Sequence, residues 1–236
     1  MKIGKVTLSV IPVRSTPSDR AELTTQLLFG ETYTILEEQE KWIKIACDFD
    51  SYEGWIDQKQ LQLINSKNKH QNYTVSALAK TDNTILSIGS VIPEESPSPI
   101  IEGLVSSKKQ NIIDTAKKYL NTPYLWGGKS IFGVDCSGFT QQVFKLAHIN
   151  LPRDAYQQAE LGTTIDFNDS SSSDLAFFST NNKITHVGIL LDNNQIIHAS
   201  GSVRIDTITK KGIVHADSKK LTHTLTTIKR IHSSSQ

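Results

Sequence analysis

The fold of the C-terminal part is decided by one stretch of the chain, Val134-Asp-Cys-Ser-Gly-Phe-Thr-Gln-Gln-Val-Phe-Lys-Leu146. Apolar residues such as Phe139 and Val143 recur there at helical spacing, so the stretch predicts an amphipathic helix with one buried face. Asp135 is a favourable N-cap residue, which puts Cys136 in the first turn. The unpaired backbone N–H groups and the helix dipole favour a thiolate at that position. Cys136 is therefore either a nucleophile or a buried structural cysteine.

Length and charge restrict the class of protein. The chain has 236 residues, which is enough for one large or two modest domains with packed cores. It carries 25 basic and 24 acidic residues, and no run of like charge stands out. We therefore expect neither a nucleic acid nor a membrane as a partner. The apolar run at the N-terminus is too short for a signal peptide, so we expect a cytosolic protein unless a leader was left off.

The two cysteines do not indicate a disulfide framework. Cys47 and Cys136 lie far apart in the chain and in different predicted domains. The sequence also contains no CxxC or HxxxH pair that would support a zinc site, so we predict no metal and no other cofactor.

The first quarter of the chain has the pattern of β structure. Short alternating runs predict strands at residues 5–13, 31–36, 42–46 and 54–56, and turn residues separate them. Short strands at this spacing indicate a small barrel. The most specific residues are Val13-Arg14, Leu28-Phe-Gly-Glu31, Lys41-Trp-Ile-Lys-Ile45 and Tyr52-Glu-Gly-Trp-Ile56. Together they resemble a bacterial SH3 domain over residues 5–62.

The segment that follows has two interpretations. It is polar at first, alternates weakly between residues 73 and 91, and has three prolines between residues 93 and 99. The prolines favour an extended connector over regular structure. We therefore assign residues 1–64 to the barrel and residues 65–107 to a linker or a degenerate second SH3-like segment. Residues 108–236 form the last domain.

This last domain predicts helices followed by strands. An amphipathic helix is expected over residues 111–120, before the helix that begins at Cys136. Strands are expected at residues 174–178, 186–191, 195–199 and 225–231. Helices followed by an antiparallel sheet make an α+β arrangement.

Two histidines on neighbouring predicted strands are candidate partners for Cys136. Acyl transfer by a cysteine needs a histidine to share the thiol proton and a third group to orient that histidine. His186 begins a strand, and His198 lies in an apolar strand where an unpaired imidazole would be costly. The alternatives are an exposed strand-end residue for His186 and a hydrogen-bonded core residue for His198. We interpret the other histidines as solvent-exposed: His70, His148, His215, His223 and His232.

The two candidate histidines can cooperate only if they project from the same face of the sheet. A two- or four-residue turn between their strands would put them on opposite faces, because side chains alternate along a strand. A three- or five-residue turn, or one bulge, shifts the register so that Gly188 faces His198. Asn193 and Asn194 tolerate the left-handed conformation of such turns. We therefore predict an odd-length turn or a bulge between residues 191 and 198.

Six motifs in this domain occur in an informative order. They are Pro123-Tyr-Leu-Trp-Gly-Gly128, Asp135-Cys-Ser-Gly-Phe139, Leu151-Pro-Arg-Asp154, Asp174-Leu-Ala-Phe-Phe178, His186-Val-Gly-Ile189 and Ile197-His-Ala199. Over about residues 108–232 they resemble the NlpC/P60 family of papain-like cysteine peptidases. The resemblance implies an SH3-like barrel followed by a papain-like domain with an antiparallel sheet. It agrees with a catalytic triad of Cys136, His186 and His198.

The resemblance also implies residues around the nucleophile. Tyr124 is a candidate oxyanion donor beside the backbone N–H of Cys136, and core packing is the alternative for this side chain. Asp135 and Ser137 flank the nucleophile and are candidates to hold the substrate.

Further candidates for substrate binding lie elsewhere in the sequence. In the resembling peptidases, acidic and tyrosyl groups hold the free amine of an N-terminal L-Ala, and Glu22 and Tyr52 are the candidates from the barrel. Arg153 and Asp154 either line the site or form an ion-paired turn.

The resemblance implies a cytosolic γ-D-glutamyl-L-diamino acid endopeptidase that recycles muropeptides. Such an enzyme cuts after D-Glu in L-Ala-γ-D-Glu-diamino acid peptides, and diaminopimelate and lysine both fit as the diamino acid. One alternative is a secreted hydrolase of intact peptidoglycan. Another is a catalytically silent protein that attaches to the cell wall through its barrel. The intact set of Cys136, His186 and His198 argues against a silent protein.

Overall fold

The structure, a computed structural model, describes residues 2–66, 72–93 and 105–232. The chain divides into two compact units. The first unit consists of Met1–Lys109 and Trp126–Phe132, and the second consists of Gln110–Leu125 and Gly133–Gln236. The sequence predicts boundaries after residues 64 and 107, whereas the first unit extends to Lys109 and includes a short segment of the later chain, Trp126–Phe132. Among the described residues, no helix has both the length and the apolar character needed to cross a membrane.

The first unit is built around an antiparallel sheet of short strands. The strands are β1 Ile3–Lys5, β2 Val10–Arg14, β3 Leu23–Leu28, β4 Thr32–Glu38, β5 Trp42–Cys47, β6 Glu53–Asp57 and β7 Leu63–Ile64. Their order in the sheet is β3-β2-β6-β5-β4-β1-β7. Because side chains alternate along a strand, Ile11 and Val13 of β2 share one buried cluster with Ile43 and Ile45 of β5.

Two features of this sheet differ from the sequence prediction. The single strand expected over residues 5–13 is divided into β1 and β2. Residues 6–9 lie outside both strands, with a bend at residues 8 and 9, and the Val6 N–H donates to Glu31 O while its carbonyl accepts from the Gly30 N–H. The strand β3 was not predicted, because the buried polar residues Thr25 and Gln26 hide its pattern.

The segment after this sheet also forms strands. They are β8 Asn72–Val75, β9 Ala79–Lys80, β10 Ile85–Leu86, β11 Val91–Pro93 and β12 Val105–Ser106. The strand β8 pairs with β11 and β12, and β9 pairs with β10. Val75, Leu86 and Ile92 belong to a small core on which Phe29 packs. This segment is therefore folded in its described part, and the proline-rich residues 94–99 lie outside the described residues.

The second unit combines short helices with a larger antiparallel sheet. The helices are α1 Ile112–Lys117, α2 Cys136–Leu146 and α3 Ala155–Gln158. The short strand β13, Lys129–Ser130, belongs to the first unit. The strands of the second unit are β14 Gly133–Val134, β15 Thr163–Ile165, β16 Leu175–Thr180, β17 Lys183–Leu191, β18 Gln195–Ser200, β19 Ser202–Thr209, β20 Gly212–Val214 and β21 Leu221–Arg230.

The large sheet of the second unit closes on itself. Its order is β15-β21-β16-β17-β18-β19-β20, and β20 also pairs with β21. One buried cluster takes residues from most of these strands, including Phe178, Leu190, Ile196 and Ile213. β19 pairs with β18 and β21 pairs with β16, so both lie in the same sheet as the two strands that carry the candidate histidines.

Comparison with the sequence prediction shows where local pattern was sufficient. The strands expected at residues 174–178, 186–191, 195–199 and 225–231 correspond to β16, β17, β18 and β21. Three strands of the large sheet were not predicted, namely β15, β19 and β20, and neither was the short strand β14. The helix expected over residues 111–120 ends at Lys117, and the chain then turns to a left-handed Asn121 with φ of 67°. Helices before an antiparallel sheet confirm the α+β class.

Candidate active site

Cys136 is the first residue of α2, as the sequence predicts. The Oδ1 atom of Asp135 accepts a hydrogen bond from the Gly138 N–H at 2.7 Å, which fixes the start of the helix. Phe139 and Val143 form the expected buried stripe and are fully covered. The Cys136 side chain is itself 7% exposed. The thiol therefore lies at a capped helix start and is almost completely removed from bulk water.

Burial reverses the expected charge of this thiol. It raises the pKa of Cys136 to about 12, and the neighbouring Asp135 carboxylate acts in the same direction. Hydrogen bonds from backbone N–H groups, including that of Val187, and the Arg153 guanidinium oppose this rise but do not cancel it. The expectation of a resting thiolate was wrong, because it counted the helix dipole and left out desolvation. The contact with Val187 puts the sulfur beside the residue that follows His186.

A three-residue turn joins β17 to β18. Ile189 pairs with Ile197, and the last pair before the turn leaves residues 192–194 between the strands. Asn193 and Asn194 have φ values of 59° and 55°, which is the left-handed conformation expected for them. The predicted odd-length turn is confirmed.

This register puts the two candidate histidines on one face. The pairing of β17 with β18, continued by one step, sets Gly188 opposite His198. A Cβ atom on Gly188 would come within 2.9 Å of the His198 Cβ, so a glycine leaves room for the imidazole. The His186 Nε2 and His198 Nδ1 atoms are 2.8 Å apart. The structure thus brings together the two rings that the sequence analysis paired.

A chain of hydrogen bonds continues from His198 to Asp206. The His198 Nε2 atom lies 3.0 Å from the Asp206 Oδ2 atom. An ionised carboxylate only accepts hydrogen bonds, so the His198 Nε2 atom carries a proton. With His198 neutral, its Nδ1 atom then accepts from the His186 Nε2–H. This leaves Nδ1 of His186 as the nitrogen with a free lone pair.

Asp206 is the member of this chain that sequence reasoning missed. Although burial would raise its pKa, hydrogen bonds from His198, the Ala216 N–H and Arg204 hold that pKa well below its usual range. The Ala216 N–H donates to Oδ1 at 2.7 Å, and the guanidinium of Arg204 lies 3.0 Å from Oδ2. The alternation of Val203, Ile205 and Thr207 after Gly201 was the signal that could have predicted β19 and this residue.

Aromatic rings surround His186, which is 6% exposed. Its ring centroid lies 5.0 Å from that of His198, 5.8 Å from that of Phe178 and 4.2 Å from that of His223. Burial lowers the pKa of His186 well below its usual value, and positive charge on His198 or His223 acts in the same direction. His186 is therefore neutral at pH 7 and able to accept a proton.

The other histidines divide into two groups. The interpretation of His223 as solvent-exposed was wrong, because its half-buried ring packs on His186. His148 and His232 are exposed as expected, His215 is half-buried and not fully exposed as expected, and His70 lies outside the described residues. No group of three or more histidine, cysteine or acidic side chains could hold a metal ion in the part of the chain that the structure describes.

Arg153 binds the two residues that flank the thiol. Its guanidinium contacts Asp135 through two hydrogen bonds, at 2.6 Å and 3.0 Å, and donates to the Ser137 hydroxyl at 3.0 Å. All three side chains are buried. The ion pair therefore lies directly at the start of α2, beside Cys136, and supports the helix turn that carries the thiol.

Tyr124 and Asp154 have different surroundings. Burial raises the pKa of Tyr124 to about 12, and negative charge on Cys136 or Asp135 acts in the same direction. Its hydroxyl thus stays protonated at neutral pH, close enough to the nucleophile to respond to its charge. Asp154 is the N-cap residue of α3, where the Gln157 Oε1 atom accepts from its N–H. Asp154 is therefore part of a helix cap.

Glu22 and Tyr52 belong to the first unit. The Glu22 Oε1 atom accepts a hydrogen bond from the Trp126 Nε1–H at 2.7 Å. Tyr52 is half-buried and packs against the core of the first sheet. A contact of either side chain with a substrate amine stays a prediction.

Known proteins resemble both parts of the chain. The model of the NlpC/P60 family matches residues 121–221, and that of the bacterial dipeptidyl-peptidase SH3 domain matches residues 13–61. A γ-D-glutamyl-L-lysine dipeptidyl-peptidase of Bacillus subtilis strain 168 is 30% identical over 229 residues, which cover 80% of this chain and 77% of that protein. A protein of the same name from Bacillus cereus is 25% identical, with 78% and 69% covered.

Solved structures extend the likeness to the whole fold. The crystal structure of an NlpC/P60 family protein from Bacillus cereus has a TM-score of 0.79 and covers 97% of this chain and 99% of its own. Its sequence is 20% identical, so this likeness concerns the fold alone. It confirms the predicted combination of an SH3-like domain with a papain-like domain. With the family matches, the chain belongs to the NlpC/P60 family of cysteine peptidases, with an N-terminal SH3-like domain.

Proposed function

We propose that this protein is a cysteine endopeptidase that hydrolyses the γ-D-glutamyl–diamino acid bond of peptidoglycan-derived peptides. One observation carries the proposal: a thiol at the start of α2 lies beside the strand of His186, whose ring is hydrogen-bonded through His198 to Asp206. Two relatives that match most of the chain are named γ-D-glutamyl-L-lysine dipeptidyl-peptidases, which supports the choice of bond.

Acylation begins with Cys136 as the nucleophile. The Nδ1 atom of His186 accepts the thiol proton while the sulfur attacks the amide carbon, so a C–S bond forms and the carbonyl becomes an oxyanion. Because both groups are neutral in the free protein, the proton transfer accompanies the attack. The backbone N–H of Cys136 and the hydroxyl of Tyr124 are the proposed donors to the oxyanion.

In the breakdown of the intermediate, His186 donates the proton that it accepted during the attack. The His186 imidazolium donates its proton to the departing amine, the C–N bond breaks, and a thioester remains on Cys136. A water molecule, deprotonated by His186, then attacks the thioester carbon; the C–S bond breaks, the sulfur takes back the proton from His186, and the D-Glu γ-carboxylic acid is released. His198 keeps His186 in the required tautomer, and the charge of Asp206 stabilises the imidazolium through His198.

We extend the proposal to substrates that have a free N-terminal L-Ala. Glu22 supplies an exposed carboxylate in the SH3-like domain, and a carboxylate is the natural partner of a protonated amine. Tyr52 of the same domain is the second proposed contact. Asp135 and Ser137 are proposed to reach the peptide from beside the nucleophile, where Arg153 holds both.

The test is digestion of L-Ala-γ-D-Glu-diamino acid tripeptides, with lysine and with diaminopimelate, against whole sacculi, with mass analysis of the products. We expect release of the diamino acid from the free tripeptides. N-acetylation should slow the reaction roughly 10- to 100-fold, because a charge-assisted hydrogen bond contributes about 1.5–3 kcal/mol. Equal rates on free peptide, acetylated peptide and sacculi would instead favour a hydrolase of intact peptidoglycan.

We also propose that the enzyme acts in muropeptide recycling in the cytoplasm. The support is that Cys47 and Cys136 are both free and buried, a state that a reducing compartment maintains. Fractionation of cells that produce the untagged protein, with detection in cytoplasm and culture medium, tests the location. Recovery from the medium would favour the secreted alternative.

A further inference from the structure

The ring that lies closest to His186 takes no part in the hydrogen-bond chain. The ring of His223, in β21, faces that of His186, with the centroids 4.2 Å apart and the planes 24° from parallel. The His223 Nδ1 atom is 2.9 Å from the Thr222 Oγ1 atom. Phe178 contacts His223 in an edge-on arrangement, with centroids 5.9 Å apart. His223 is thus built into the same cluster as the proposed base.

The backbone of β20 and β21 fixes where this ring lies. Ile213 pairs with His223 across the two strands. Gly212, whose φ is 138°, lies so close that a Cβ atom there would collide with the His223 carbonyl oxygen. The backbone at His223 is therefore closely packed. This packing keeps the His223 ring stacked on the ring of His186.

We propose, as a deepening of the proposed function, that His223 is a positioning residue for His186: its stacked ring fixes the plane of the base, and its charge sets how readily the base accepts a proton. The hydrogen bond to His198 holds only one edge of the His186 ring. A ring held at one edge can still tilt about that edge. A flat surface against its face removes this freedom, and only a parallel ring such as that of His223 supplies one.

Charge gives His223 its second role. The titratable groups that face it are His186, His198 and Asp206. Burial lowers the pKa of His223, positive charge on His198 acts in the same direction, and the carboxylate of Asp206 opposes both. His223 is less buried than His186, so it takes up the first proton as the pH falls. Its charge then opposes a second proton on His186 and keeps the base free at more acidic pH.

Steady-state kinetics between about pH 4.5 and 8 test both roles in the full-length protein. His223→Ala should lower kcat roughly two- to tenfold with little change in KM, since a stacked aromatic pair contributes a factor of that size. His223→Phe restores a flat ring, so it should recover kcat near pH 7.5. Without a titrating neighbour, however, its kcat/KM should begin to fall at a higher pH than in the wild type. His232→Ala, an exposed histidine after β21, is the matched control and should behave like the wild type.

The outcomes separate this inference from the function on which it rests. A wild-type protein that does not cleave the tripeptide would contradict the proposed function. An active wild type whose folded His223→Ala and His223→Phe variants keep the same kcat and the same acid dependence would overturn only the role of His223. Thermal unfolding of each variant shows whether it is folded.

A measurement on the wild type avoids the need for folded variants. Nitrogen-15 NMR of the imidazole rings, without substrate, follows the protonation of each histidine. We expect His223 to take up its proton at a higher pH than His186. The opposite order would exclude the charge role, whether or not the variants fold.

Discussion

The molecule has two buried cysteines, and each lies near a buried ion pair. In the first unit, Cys47 is the last residue of β5. The charges of Lys129 and Glu31, whose side chains are 3.1 Å apart, act on the pKa of its thiol. In the second unit, Cys136 lies beside Arg153 and Asp135, which are 2.6 Å apart. Burial raises the pKa of both thiols.

The two regions differ in whether a proton acceptor lies near the thiol, and only the second region has one. Cys47 donates its backbone N–H to Tyr52 O, and the effects on its thiol pKa come from burial, Lys129 and acidic side chains, without a histidine. The thiol of Cys136, in contrast, lies near backbone N–H groups at the start of α2 and beside the strand that carries His186. A buried thiol near a buried ion pair is therefore not enough for catalysis, because an acceptor must take the proton and donors must meet the developing charge.

The largest expected effect separates the two thiols directly. Cys136→Ala should lower kcat/KM roughly 10⁵-fold or more, because the proposed nucleophile is lost. Cys47→Ala should leave kcat/KM within about twofold and cost about 1–2 kcal/mol of stability, as a modest loss of core packing. Tripeptide hydrolysis and denaturant unfolding measure the two effects. Ordinary turnover by Cys136→Ala would rule out the cysteine mechanism.

The second prediction concerns the hydrogen-bond chain that only the second region possesses. Asp206→Asn keeps the shape of the side chain but can donate a hydrogen bond to His198, which permits the wrong tautomer. We expect kcat to fall roughly 10²- to 10⁴-fold, a loss of the size seen when the orienting carboxylate of a triad is removed.

Asp217→Asn is the matched control, since Asp217 is an exposed partner of the same Arg204. It should leave kcat nearly unchanged. If both variants were equally active, the carboxylate would have no role in orienting the histidines.

The third prediction compares the two ion pairs. Arg153→Met removes the cation that neutralises the buried carboxylate of Asp135, and Lys129→Met removes the cation that neutralises Glu31. Each should cost about 3–5 kcal/mol in the free energy of unfolding. Only Arg153→Met should also lower kcat at temperatures where the protein is folded, because Asp135 caps the helix that carries Cys136. A similar kcat loss in both variants would show that neither pair acts locally.

The smallest expected effect is on stability in acid. The folded state holds the pKa of His186 below its usual value, so below about pH 6.5 the unfolded chain binds a proton that the folded protein does not. Stability from this group is therefore fully present above about pH 6.5 and decreases as the pH falls, by up to about 1.4 kcal/mol per pH unit. Unfolding titrations between pH 7 and 5 should show a shallower decrease for His186→Gln. An unchanged pH dependence would mean that folding does not lower the pKa of His186.

Local patterns were sufficient for part of the site. The helix that begins at Cys136 could be predicted because capping and amphipathic spacing are properties of neighbouring residues. The odd turn between β17 and β18 could also be predicted, since alternation makes the face of a side chain depend on the length of the connection. The pairing of His198 with His186 was the hypothesis from which the odd turn was predicted, and the register of the two strands agrees with it.

Local alternation could have predicted the strand of Asp206, but the contacts that residues of distant strands make with the two histidines could not be predicted in this way. Asp206 lies on β19, which pairs with the strand of His198, and His223 lies on β21, which pairs with β16 and β20. The sequence gives no strand order, and His223 lies among threonines and lysines that resemble an exposed strand. Its half-buried position depends on what packs against β21 in three dimensions.

The family, the α+β class and the nucleophile candidate could be predicted from sequence patterns, and the pairing of the two histidines followed from them as a hypothesis. The tertiary structure alone decided the charge of Cys136, the hydrogen bond from His198 to Asp206 and the stacking of His223. The physical reason is that periodicity, capping and turn parity act between residues close in the chain. Desolvation and ring contacts act between residues that are close only after folding, and at Cys136 desolvation outweighs the local effect of the helix start.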